Sequence, residues 1–145
     1  VKDYVVGAAL FELERGHLER LLCWAIASAI GGLAALALAP RTRQPAFWRH
    51  LGIQCVAWGA VDAAIVALAW RGHVPREVGG AIALDRVLWL NIGLDVGYAM
   101  VGATLVILAW QAPRRPGLAG AGAAVVVQGL VLAALDAYLS ARIVH

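Results

Sequence analysis

The sequence predicts an all-α integral membrane protein: a four-helix bundle with an N-terminal amphipathic or interfacial segment. Three observations carry that expectation. The 145 residues are 62% hydrophobic and 14% charged, with a mean hydropathy of +0.77, a balance foreign to water-soluble domains. The apolar residues form blocks long enough to cross about 30 Å of hydrocarbon at about 1.5 Å per residue. Short stretches rich in Arg, Pro and Gly (RTRQP, RGHVPREVGG and APRRPG) divide these blocks into four.

The elements follow in order. Within segment 1–16, Val5, Val6, Ala9, Leu10 and Leu13 recur at helical spacing beside Glu12, Glu14 and Arg15, which fits a helix at the interface or an extension of the first span. The bundle itself occupies 17–145. Its first span covers 18–39 and stops at Pro40, whose fixed φ and missing donor end a helix. The second covers 47–70, the third 85–110 and the fourth 118–142, the last opening with Gly117, Gly120 and Gly122, which let a neighbour approach closely. The chain does not start with Met and its first residues hold no signal-peptide pattern, so an upstream segment is compatible with it.

A formal net charge of +3 and a pI near 9.3 do not point to nucleic acid, because the Arg residues are scattered over loops with no aromatic-interleaved basic run. In a membrane protein such charges set orientation. The linkers at one end hold Arg41, Arg43, Arg49, Arg114 and Arg115 without an acid. The other end has more basic residues, Lys2, Arg15, Arg20, Arg71, Arg76, Arg86 and Arg142, mixed with Asp3, Glu12, Glu14, Glu19, Glu77 and Asp85. Weighting the short acid-free loops puts both termini outside a bacterial inner membrane. Trp48 and Trp110 then mark the inner interface, Trp70 and Trp89 the outer.

Ionisable residues inside apolar spans are costly and are functional candidates by default. Asp62, Asp95 and Asp136 all fall inside spans, at a similar depth of roughly 9–14 Å from the outer end. Each belongs to a polar stripe: Gln54 and Trp58 with Asp62, Asn91 and Tyr98 with Asp95, and Gln128 with Asp136. On the first span the matching stripe is His17, Trp24 and Ser28. Aimed inward, the stripes make a pocket in the outer half, with Asp95, Asp62, Asp136, Asn91, Tyr98, Gln54 and Gln128 as ligand- or ion-binding residues. Three like charges cannot all ionise cheaply at close range. A shared proton, a cation or a ligand with a positive or hydroxyl group relieves that cost. The plainer alternative is that these groups hydrogen-bond to one another and fix helix register. Gly93 and Gly97, opposite Asp95, form a GxxxG read as a helix-packing face, for a helix of the bundle or a partner outside it.

His17, His73, His145 and His50 fall at span ends and read as surface imidazoles, with no facing pair for haem. Cys23 and Cys55 lack zinc spacing. No metal site or catalytic residue is expected, since hydrolase, nucleotide-binding, metalloprotease and deaminase signatures are all missing.

The run DRVLWLNIGLDVGY, with its N-x-G-L-D-x-G-Y core at Asn91 to Tyr98, and the later Gln128, Gly129 and Asp136 resemble a family of small bacterial four-helix membrane proteins, a domain of unknown function. The first half is similar more loosely, Ser28 and Asp62 standing where the family tends to have Asn. The resemblance implies the fold and brings no activity or cofactor. The role expected first is a non-enzymatic ligand- or lipid-binding protein or an accessory subunit of a membrane complex. A proton- or cation-coupled carrier working as an oligomer comes next, and a membrane enzyme last. The partners expected are the lipid bilayer and a larger membrane complex or homo-oligomer, with no nucleic acid.

Overall fold

Proline and glycine set where the helices begin and end. The computed structural model describes residues 4–111 and 114–143; Lys2, Asp3 and His145, which entered the reading of charges and histidines, lie outside the described residues. Helix α1 spans Gly7–Leu38, α2 Pro45–Arg71, α3 Val78–Trp110 and α4 Pro116–Ile143. Pro40 lies in a short 3-10 turn, Ala39–Arg41, where the Thr42 hydroxyl donates to the Ala39 carbonyl at 2.8 Å. Pro45 and Pro116 each occupy the first helical position, where a missing N–H costs nothing and the fixed φ suits the helix. Each of the four helices is long and apolar enough to cross a membrane.

Two boundaries differ from the sequence expectation. Helix α3 starts at Val78 rather than near 85, so Gly79 and Gly80 lie in its first turn. Tertiary contact overrides their poor propensity: Ala81 is fully buried in a cluster with Leu10, Leu88, Leu139 and Ile143, and its N–H bonds the Glu77 carbonyl at 3.0 Å. The N-terminal stretch is continuous with the first span, since α1 runs unbroken from Gly7. Leu10 faces the cluster while Glu12 and Arg15 stay exposed. Backbone bonds fasten this end, Val5 N–H to the Ile143 carbonyl at 3.1 Å and Gly7 N–H to the Arg76 carbonyl at 2.8 Å. Gly7 has φ +64°, which a side chain would disfavour.

Most long apolar side chains point outward along the helices: Met100 is 67% exposed, Leu68 67% and Ile30 62%. The buried set is rich instead in Asp62, Asp95, Asp136, Gln128, Ser28 and His17. Apolar outside and polar inside is the arrangement that hydrocarbon surroundings stabilise, because lipid covers the apolar groups and leaves polar ones to find partners within the bundle.

Helix pairs meet through glycine. A Cβ on Gly32 of α1 would come 2.7 Å from the Gly52 carbonyl of α2, and one on Gly102 of α3 would come 2.7 Å from the Gly122 carbonyl of α4. Helix α4 lies along α3 and also packs on α2, while α1 pairs with α2. Among the described residues α3 has no comparable packing on α1 or α2, so α2 and α3 diverge. The space between them holds the site.

Candidate functional site: a cleft between α2 and α3

The cleft encloses about 510 Å³. Its walls are largely apolar, with Ile65 and Leu68 from α2 and Val87 and Leu94 from α3, and its floor is made by α1 and α4. Trp58 and Tyr98 meet across it edge to face, ring centroids 5.3 Å apart, linking the two diverging helices. At the end that carries α1's start, Arg76 and Glu14 close it, Arg76 Nε donating to the two Glu14 oxygens at 2.8 and 3.1 Å. Glu14 is buried, so the guanidinium supplies the partner its carboxylate needs.

Asp62, Asp95, Asp136, Asn91 and Tyr98 all line this cleft. The three acids differ in what they touch. Asp62, 1% exposed, accepts a short hydrogen bond from the Gln128 amide. The Gln128 carbonyl in turn lies 3.4 Å from the Ser28 hydroxyl, which also donates to the Cys55 carbonyl at 3.0 Å, so that α1, α2 and α4 share one polar knot. Asp136 pairs with His17 Nε2 at 3.2 Å. Asp95 is near enough to feel the charges of Asp136 and Asp62, yet among the described residues nothing hydrogen-bonds to its carboxyl. Asp95 is fixed in place by Gly129, which lies directly against the Asp95 carbonyl and the Ala99 side chain, leaving no room for a Cβ.

His17 corrects the sequence expectation. It is buried rather than a surface imidazole, and among the described residues its Nδ1 has no hydrogen-bond partner. His73 is part-buried, stacked on Phe11 at 4.0 Å with Nε2 3.1 Å from the Phe11 carbonyl.

Gln54 and Gln128 do not line the cleft. Eight residues on a straight helix turn about 80° away from a common stripe, so Gln54 leaves the Asp62 face and Gln128 leaves the Asp136 face. Gln54 is half-buried elsewhere on α2, whereas Gln128 backs Asp62 and lines a second groove with Trp24, Ser28 and Cys55. Gly93 and Gly97 are exposed with open space around them, so among the described residues no helix packs there; the close approaches on α3 are at Gly102 and opposite Gly129. Among the described residues no group of three or more His, Cys, Asp and Glu is placed to hold a metal ion, so the acids share a cleft rather than a coordination point.

Three contacts escaped the sequence reading: His17 with Asp136, Glu14 with Arg76, and the Ser140 hydroxyl donating to Asp85 at 3.0 Å. Leu10, Glu14, His17, Leu21 and Ser28 recur at three-, four- and seven-residue spacings, and that stripe was the available signal.

A four-helix bundle of membrane-crossing length, polar within and apolar without, defines a small multi-pass membrane protein. The chain belongs to a family of unknown function, DUF6992, whose family model matches residues 20–137. No curated protein and no solved structure matches it.

Proposed function

We propose that this protein binds, without catalysis, an amphipathic molecule or lipid whose head carries a hydroxyl or ammonium group, the apolar body lying between α2 and α3. The observation that carries this reading is Asp95: the residue is buried within the bundle, its carboxyl oxygens stay reachable from the cleft it lines, and among the described residues nothing hydrogen-bonds to them. A buried polar group left without a partner costs about 1–3 kcal/mol, and more if charged, so a donor from outside the chain is favoured there. Asp136 and Asp62 add negative potential, which favours ammonium and opposes an anionic head. The apolar side chains of Ile65, Leu68 and Leu94 suit an alkyl chain. We place the protein in a bacterial inner membrane with both termini outside, on the acid-free linkers of Arg41, Arg43, Arg114 and Arg115.

The test is native mass spectrometry of lipid-stripped protein mixed with dodecylamine, dodecanol or lauric acid. The wild type retains the amine and the alcohol over the acid. Asp95→Asn weakens amine retention about ten- to hundredfold, the worth of a charge-assisted hydrogen bond. Asp95→Leu loses both ligands with its helicity intact. Unchanged retention in Asp95→Leu, or equal retention of lauric acid by the wild type, overturns the assignment.

A further inference from the structure

A second site lies on the face of α4 opposite Asp136. Two guanidinium groups from different helices attend one ring there: the Arg20 guanidinium of α1 is 4.8 Å from the Tyr138 ring centroid, and that of Arg142 is 4.3 Å from it. Neither Arg20 nor Arg142 has a carboxylate partner among the described residues, and the nearby Glu19 is engaged by Arg15 at 3.1 Å. Two like charges held at one aromatic ring repel each other, and the ring's negative face offsets only part of that cost. An anion received by both removes the rest.

Arg20 stands where the apolar run of α1 begins and Arg142 in the last turn of α4, so the pair lies at a membrane–water boundary. A groove of about 410 Å³ leads away from Arg20 and Tyr138 over Leu130, Val131 and Leu135. A free inorganic anion has no use for such a groove, whereas an acyl chain does. We infer that Arg20 and Arg142, held at the Tyr138 ring, bind the phosphate of an anionic phospholipid whose chain lies in the groove over Leu130, Val131 and Leu135 of α4. Planar guanidinium forks suit phosphate oxygens, and two of them against no nearby free acid favour a head of net negative charge over a zwitterionic one.

The full-length protein, stripped of lipid, is mixed with phosphatidylglycerol, phosphatidylcholine or inorganic phosphate and read by native mass spectrometry. We expect at least tenfold more phosphatidylglycerol than phosphatidylcholine to be retained, and no adduct with inorganic phosphate. The exposed double substitution Arg20→Gln with Arg142→Gln brings the two lipids to parity; Tyr138→Phe keeps the preference and Tyr138→Leu reduces it. The double substitution lowers phosphatidylglycerol retention by the same factor in an Asp95→Asn background, which separates this site from the cleft. Parity in the wild type, an undiminished preference in the double variant, or displacement of the lipid by millimolar inorganic phosphate overturns the inference.

Discussion

Replacing Gln128 by Met tests whether the polar knot holds the helices together. Asp62 is 1% exposed, and its one hydrogen bond among the described residues comes from the Gln128 amide. The substitution removes an interhelix bond worth about 0.6–2 kcal/mol in a bilayer. It also strands a buried carboxyl, at about 1–3 kcal/mol. Ser28 keeps the Cys55 carbonyl as its acceptor, so little is added there. The sum is roughly 1.5–5 kcal/mol of lost stability. Removing both partners, Asp62→Val with Gln128→Met, leaves no stranded group and recovers at least about 1 kcal/mol of that loss, because the coupling resides in the pair. Unfolding by denaturing detergent in mixed micelles, followed by circular dichroism, supplies all four corners of the cycle. A Gln128→Met variant within about 0.5 kcal/mol of the wild type, or a double variant no more stable than Gln128→Met, refutes the reasoning.

The glycines separate in the same assay. Gly102→Val drives a Cβ to 2.7 Å from the Gly122 carbonyl and destabilises the α3–α4 pair by about 1–3 kcal/mol, whereas Gly93→Val and Gly97→Val, in open space, change stability by less than about 0.5 kcal/mol. Orientation is read by thiol labelling with Cys23 and Cys55 replaced by Ala. An impermeant reagent on intact cells labels a Cys introduced at Glu77 and spares one at Arg43; the reverse pattern would put the termini inside.

The residues between α2 and α3 tell how far a sequence carries this kind of protein. Four apolar blocks broken at Pro40 and Pro45, at the loop of Gly72 and Pro75, and at Pro116 were enough to define four membrane-length helices, because the hydrocarbon thickness and the backbone's need for internal hydrogen bonds leave few other solutions. The placing of Asp62, Asp95 and Asp136 at one level followed from counting along those helices, and all three line one cleft. The individual partners did not follow. An eight-residue spacing looks like one stripe until its rotation is added, which is why Gln54 and Gln128 leave the cleft lining.

Sequence alone therefore determined the class of protein, the number of membrane-length helices and the acids those helices carry, since each depends on local composition and helix geometry. Only the tertiary structure decided that α2 and α3 part, that His17 turns inward to meet Asp136, and that Asp95 has no hydrogen-bond partner among the described residues. Those outcomes depend on which glycine faces which backbone, as at Gly102 with Gly122 and at Gly129 with Asp95. That is a matter of interhelix distance and rotation, which no residue specifies by itself.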